Sequence, residues 1–282
     1  MRSIPTPEGG EMALATSYGR VNASVGAKRT RRMTAIMELL ADQGSMTLDS
    51  LADELGTSVS TIRRDLSLLA DQQLLMRTHG AARVVESRHE LPVNLRNTRS
   101  LEAKRAIAQA TLDYIPRSQF ALGMSGGTTT ASVVEAIALA GYEQLRIVTN
   151  SLTIAQIVAD YPRLKLSMSG GNLRRESLEL VGMLAENTFK SINLGAAILG
   201  ADGVTADGVT THDETEARTN RAMVSHSLTV IVVVDGSKVG RVTLAQVLPI
   251  DEVDVLITDS SADPAIMQRI RDAGVEVRIV TP

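Results

Sequence analysis

The sequence predicts an α/β protein of two domains, a small helical one followed by a larger, mostly parallel α/β one. Three observations point there. Between residues 30 and 69, three short apolar stripes recur at helical spacing and are separated by glycines. From residue 119 onward, short apolar runs alternate with helical segments, the pattern of a parallel sheet covered on both faces. The length, 282 residues, is long for one compact core but comfortable for two.

Composition narrows the function. Hydrophobic residues at 44% and charged residues at 22% are ordinary for a globular protein, and no apolar run reaches the roughly 18–20 residues that span a bilayer. The opening MRSIPTPEGGEMA lacks the apolar stretch of a secretory signal, so a cytoplasmic protein without a membrane partner is expected. Zero cysteines exclude disulfides, thiolate catalysis and Cys-ligated zinc. With aromatics at 2% and no Trp, stacking of bases or sugar rings on aromatic platforms is not this protein's method.

Residues 1–27 mix Gly, Ser, Pro and Thr without apolar periodicity and are read as a disordered tail, in which Met12 offers a second start. Residues 28–84 then form a first domain. Met33, Ile36, Met37 and Leu40 make the stripe of a first helix that stops at Gly44. Thr47 caps a second, LDSLADEL, with Leu48, Leu51, Ala52 and Leu55 on one side and Gly56 closing it. Ser58 caps a third, whose Ile62, Leu66 and Leu69 face inward. Helix, glycine turn and capped helix are the helix-turn-helix arrangement, and the inward stripe leaves Ser60, Thr61, Arg63 and Arg64 outward at the start of the third helix, where such units enter the major groove. Hydroxyls reach bases or phosphates, and a guanidinium grips guanine or phosphate through two hydrogen bonds. LLMRTHGAARVV alternates and turns at His79 and Gly80, a two-stranded wing flanked by Arg77 and Arg83 that suits the DNA backbone.

An arginine pair on a helix is usually only a solvated face, and the whole chain carries a net charge of -3. Within residues 28–84 eight Lys or Arg stand against seven Asp or Glu, but the basic ones are clumped: KRTRR with Arg31 and Arg32, then Arg63 with Arg64, then Arg77 and Arg83. Clumping of that kind builds one positive face, and double-stranded operator DNA is the partner it fits.

Residues 85–100, polar and without period, are read as a linker to an effector domain over 101–282. LEAKRAIAQATLDYI opens it as a helix, and strands are expected at 119–124 and at LRIVT, LKLSM, LGAAILG, LTVIVVVD, DVLIT and VEVRIV, with helices such as TASVVEAIALA and DETEARTNRAMVSHS between them. In such sheets ligands gather where strands end. The first such loop is SGGTTT: Ser125, Gly126, Gly127, Thr128, Thr129 and Thr130. Its glycines let a backbone approach an anion, helix-start amides point at it, and hydroxyls add donors, which suits a phosphate. It lacks the Lys of a Walker A loop and the spacing of a dinucleotide fold, and by itself it is equally a plain turn with a helix cap. Other strand ends add Thr149, Asn150 and Ser151; Gly170, Gly171 and Arg174; Asp202 and Gly203; and Asp235 and Lys238. Each alone is turn chemistry, but together they offer what a phosphorylated polyol requires: charge for the phosphate and acceptors for the hydroxyls.

The stretch from Arg31 to Arg83, with RRMTAIMELLADQG and with TIRRDL followed by R-x-H-G, resembles the amino-terminal domain of DeoR-type bacterial transcriptional regulators. Residues 101–260 resemble the effector domain of the same regulators, which is similar to the sugar-phosphate isomerase fold of ribose-5-phosphate isomerase and glucosamine-6-phosphate deaminase. The resemblance implies a phosphate loop at Gly126 to Thr130, a TNS segment at Thr149 to Ser151, a turn at Gly170 and Gly171, and a pocket completed by Asp202, Gly203, Asp235, Ser237 and Lys238. Two positions depart from the family: Ala81 stands where a second wing glycine is usual, and Ser125 where an acidic residue is frequent.

The implied function is a DNA-binding regulator, a repressor of a carbohydrate-utilisation operon released by a phosphorylated sugar and working as a homodimer or homotetramer; an activator of the same architecture is the alternative. No cofactor is expected. An isomerase-like enzyme is also considered, because Glu216 with Lys238 has the chemistry of a carboxylate base beside an ammonium group. The preferred reading makes Glu216 an exposed helix residue facing Asn220, as Glu214 faces Arg218. His212, Asp213 and Glu214 are consecutive and cannot all face one metal ion, so they are read as a loop and helix cap.

Overall fold

A computed structural model of the chain describes residues 28–37, 39–40, 43–71, 74–78, 80–84, 100–116 and 121–282. The expected tail, the linker up to residue 99, His79 and the start of the strand expected at 119 lie outside the described residues. The chain divides into two compact units, residues 1–99 and 100–282.

In the first unit, α1, helical over 28–37, buries Met33, Ile36 and Met37 as its spacing predicts. Helix α2 (Leu48–Glu54) starts where the Thr47 hydroxyl accepts from the Ser50 amide at 3.1 Å. The turn after it passes through Gly56 at φ +57°, a left-handed value that glycine adopts without strain. Helix α3 (Val59–Asp71) begins where Ser58 Oγ accepts from the Thr61 amide, and buries Ile62, Leu66 and Leu69. These side chains form one core with α1 and α2. The wing is larger than its sequence suggested: β1 (Ser45–Thr47) joins β2 (Leu75–Thr78) and β3 (Ala81–Val84) in an antiparallel sheet of order β1-β3-β2. Three residues with only Met46 buried carry too little alternation to announce a strand.

The second unit opens with α4 (Leu101–Thr111) and is built on seven strands. They are β4 (Ala121–Met124), β5 (Arg146–Thr149), β6 (Lys165–Met168), β9 (Ala196–Leu199), β12 (Val230–Val233), β14 (Val255–Asp259) and β15 (Glu276–Val280). Every pairing among them is parallel, in the order β15-β14-β12-β9-β4-β5-β6. Alternate residues feed opposite faces. Ala196, Ile198, Ile231 and Val233 join one core cluster, while Ala197, Leu199, Val230 and Val232 join the other. Both faces are thus covered, which is why these strands read as unbroken apolar runs. The connections reverse direction between β4 and β9, and at such a switch point the loops diverge and leave a crevice.

Two antiparallel additions had no clear sequence signal: the hairpin of β7 (Asn172–Arg174) with β8 (Glu179–Val181), and a sheet of β10 (Gly203–Thr205), β11 (Gly208–Thr211) and β13 (Ala245–Pro249). The remaining helices are α5 (Thr128–Leu139), α6 (Leu152–Ala159), α7 (Met183–Lys190), α8 (Glu214–Val224) and α9 (Pro264–Asp272). Among the described residues no helix is long and apolar enough to cross a membrane.

Candidate functional site

On the first unit, Arg63 and Arg64 are exposed on the face of α3 opposite Ile62 and Leu66, and Ser60 is exposed beside them. Thr61 is half-buried, its hydroxyl 2.8 Å from that of Ser58, so these two side chains are occupied in starting the helix. Arg77 donates to Ser67 of α3 at 2.7 Å, tying β2 to the end of the exposed face, and Arg83 is exposed on β3. Arg31 is exposed. Arg32 is different, because its Nε donates to a carboxylate oxygen of Asp65, which also accepts from Arg29 at 3.2 Å. Asp65 is only 1% exposed, so its charge must be neutralised inside the fold, and Arg32 is a clamp between α1 and α3 rather than a free cation.

On the second unit, the SGGTTT loop joins β4 to α5 at the switch point. Ser125 is buried, and its hydroxyl donates to the Gly126 carbonyl and accepts from the Gly200 amide at 3.1 Å, bridging the loops after β4 and β9. Gly127 precedes α5 at φ +125°, and Thr130 donates back to its carbonyl at 3.0 Å. Thr128 is half-buried and Thr129 buried in the first turn. The Gly126 amide points at a carboxylate from another element: Glu179 of β8 accepts from it at 2.7 Å and is 2% exposed. A Cβ on Gly126 would fall 2.5 Å from that side chain, so only glycine allows the approach.

The TNS segment lies beside this loop. Thr149 donates to the Met124 carbonyl at 2.7 Å, joining β5 to β4, and Ser151 starts α6 by accepting from the Ile154 amide. Between them Asn150 is completely buried, and neither its side-chain nitrogen nor its oxygen has a hydrogen-bond partner. Ser169 after β6, Ser177 in the β7–β8 turn and Thr258 of β14 also have buried hydroxyls without partners. Each such group costs about 1–3 kcal/mol, and Asn150 stands beside the SGGTTT loop, its neighbour Thr149 being bonded to the end of β4.

The charged groups differ from expectation. Glu216 is buried, not exposed: one oxygen accepts from Thr211 at 2.6 Å and the other is 3.2 Å from Arg174. Arg174 also meets Asp213 at 3.7 Å. Lys238 lies 3.7 Å from Asp202, whose other oxygen accepts from Thr211 at 3.0 Å. Thr211 thus lies between the Glu216–Arg174 and Asp202–Lys238 ion pairs. Arg218 meets Glu186 at 3.6 Å rather than Glu214. Asp213 does cap α8, accepting from the amides of Thr215 and Glu216. Asp235 is spent in its own turn, accepting from Ser237. Gly203 is structural, since a Cβ there would meet the Arg241 carbonyl at 2.4 Å. Gly170 is exposed, and Gly171 at φ +136° lets the chain pass against Val181.

Three residues escaped the sequence reading. Glu179 and Thr211 sit in strands too short to show alternation, and the Gly126 amide that Glu179 meets is 53 positions away. Asp259 ends β14, where it accepts from the amides of Gly236 at 2.6 Å and Ser261 at 2.9 Å. Burial alone would raise its carboxyl, but the Ser261 side chain and the Gly236 and Ser261 amides outweigh that and hold it below the usual carboxylate range. It thereby fixes the Gly236–Lys238 turn that presents Lys238.

Residues 32–88 match the DeoR-like helix-turn-helix domain, and residues 99–260 match the DeoR C terminal sensor domain. The chain belongs to the DeoR family. This DeoR-family regulator is 33% identical over 253 residues to the glycerol-3-phosphate regulon repressor of Escherichia coli K12, an alignment covering 89% of this chain and 99% of that one. It is 36% identical over 253 residues, 89% of this chain and 96% of that one, to the transcriptional regulator GlpR of Haloferax volcanii. Among solved structures, ribose 5-phosphate isomerase A from Methanocaldococcus jannaschii is 13% identical at a TM-score of 0.37, over 49% of this chain and 54% of that one. The sorbitol operon regulator SorC of Klebsiella pneumoniae is 13% identical at a TM-score of 0.33, over 74% of this chain and 89% of that one.

Proposed function

We propose that this DeoR-family regulator represses a carbohydrate-utilisation operon and leaves its operator when the pocket of the second unit takes up a phosphorylated sugar. Arg63, Arg64 and Ser60 enter the major groove from the start of α3, while Arg31, Arg77 and Arg83 hold phosphates. One winged helix reads few base pairs, so a homodimer or homotetramer on paired half-sites supplies the affinity. The observation that carries the effector half is Asn150, a buried amide with no partner, next to a glycine loop at the switch point of the sheet. Backbone amides at the start of α5, with the charges of Arg174 and Lys238, meet the phosphate, and Asn150, Asp202 and Glu216 meet hydroxyls. A regulator fits better than an isomerase, since residues 32–88 match a DNA-binding domain for which an isomerase has no use.

Shifting the protein from mostly operator-competent to mostly incompetent requires about 5.5 kcal/mol of differential affinity. Two or three charge-assisted hydrogen bonds at roughly 1.5–3 kcal/mol each supply it. The relative in Escherichia coli is named for the glycerol-3-phosphate regulon, so glycerol 3-phosphate heads the panel of effectors to try. The test is a titration of purified protein against fragments of its own promoter region at fixed salt, with and without sugar phosphates. Arg63→Ala and Arg64→Ala should each weaken binding by roughly 1–3 kcal/mol. Unchanged binding in both variants would remove α3 from the groove, and indifference to every sugar phosphate would remove the effector.

A further inference from the structure

We infer that Glu179 is an internal occupant of the anion cradle, a carboxylate that a phosphorylated effector must displace before the Gly126 amide is open to it. The inference rests on reading SGGTTT as the phosphate loop.

The geometry is that of a ligand already in place. The carboxylate lies 2.7 Å from the Gly126 amide, just before the start of α5, and is shielded from solvent. A helix start attracts an anion of either kind, and a carboxylate oxygen and a phosphate oxygen take the same hydrogen from an amide. Both cannot use it, and a phosphate placed beside the Glu179 carboxyl sets acidic oxygens against one another where little water screens them. The close packing seen at Gly126, with Glu179 Cγ and Cδ 2.5 Å from where a Cβ would stand, leaves no room for a second group while the glutamate is in.

Glu179 is held there by its strand. The Leu180 amide donates to the Asn150 carbonyl at 2.7 Å and the Leu152 amide to the Leu178 carbonyl at 3.0 Å, so β8 is fastened to the TNS segment. In that closed arrangement the side chain of Asn150 and the hydroxyl of Ser177 are buried without partners. These are the marks of a site shut on itself: its anion position is filled by the chain while neighbouring polar groups go unsatisfied. Withdrawing Glu179 moves β8 and, through the antiparallel register that sets Glu179 opposite Arg174, the strand whose arginine meets Glu216 of α8. Effector arrival is thereby converted into displacement of the β7–β8 hairpin. A neutral sugar brings no charge to repay the loss of the carboxylate contact, so Glu179 also discriminates a sugar phosphate from the free sugar.

The experiment measures binding of inorganic phosphate, glycerol 3-phosphate and glycerol to the full chain by calorimetry, for wild type, Glu179→Gln and Glu179→Ala, with circular dichroism confirming the fold of each. Glu179→Ala should bind both phosphates more tightly by about tenfold or more, the scale of one charge-assisted hydrogen bond, and Glu179→Gln by an intermediate factor. Glycerol should gain nothing. Glu179→Gln preserves side-chain volume and carries the test should the alanine variant not fold. If wild type binds the phosphates and a folded variant binds them equally or more weakly, the glutamate is a scaffold or a ligand contact and the inference is overturned while the cradle stands. Absence of phosphate binding in all three proteins overturns the cradle and the inference with it.

Discussion

Arg32 and Arg63 are the same residue type in one small domain, and their surroundings give them different duties. Arg63 is exposed on the outward face of α3, whereas the side chain of Arg32 is 18% exposed and bonded to buried Asp65. Arg32→Ala should therefore act on stability: it leaves the Asp65 carboxylate with Arg29 alone, for a loss of roughly 1–3 kcal/mol, reduced toward the lower end by the water that reaches Arg29. Chemical denaturation of the variant measures it, and operator affinity well below the transition should match wild type. An equally stable variant with weakened operator binding would return Arg32 to the DNA face. Helical spacing turns Arg63 outward, but no local pattern sets Arg32 apart from Arg31, because KRTRR reads as a uniform basic clump until α3 folds against it.

At the scale of elements, the Gly236–Lys238 turn depends on a residue that the strand pattern hides. Asp259 closes an apolar strand and receives two backbone amides, so its carboxyl is more acidic folded than unfolded. A depressed carboxyl contributes stability that is present above the unfolded value, about 3.9 for Asp, and lost as pH falls through the folded one. Asp259→Asn should cost roughly 1–3 kcal/mol near neutral pH, and the gap to wild type should narrow below about pH 4. Denaturation curves across that range check it; a gap that widens on acidification would contradict the assignment. The strands of the parallel sheet and the caps of α2, α3 and α8 were legible, since apolar runs and Thr47, Ser58 and Asp213 act within a few residues of themselves. The three-residue strands β1, β7 and β8 were not, because three residues carry too little alternation to mark a strand, even where, as for β7 and β8, the partner is the next strand along the chain.

At the scale of the whole molecule, each unit has its own core: the aliphatic stripes of α1, α2 and α3 form one cluster, and the two faces of the parallel sheet form two others. Unfolding should accordingly depart from a single two-state transition. Leu66→Ala removes a fully buried side chain from the first core and should cost about 2–5 kcal/mol there. Differential scanning calorimetry should show one transition lowered and the other unmoved; a common shift of both would mean that the units unfold as one.

What the amino-acid order determined by itself is whatever acts over a few residues: helix stripes, caps, the glycine turn before α3, the outward placement of Arg63 and Arg64, and the apolar runs of the parallel sheet. What only the tertiary structure decided is which charges meet. Gly126 and Glu179 are 53 positions apart and Arg32 and Asp65 are 33 apart, and in each case a backbone path brings together groups with no local reason to be neighbours. Hydrogen bonds and ion pairs act over a few ångströms of space, while periodicity records only neighbours along the chain, so the occupant of the cradle became visible only once β8 was laid across it.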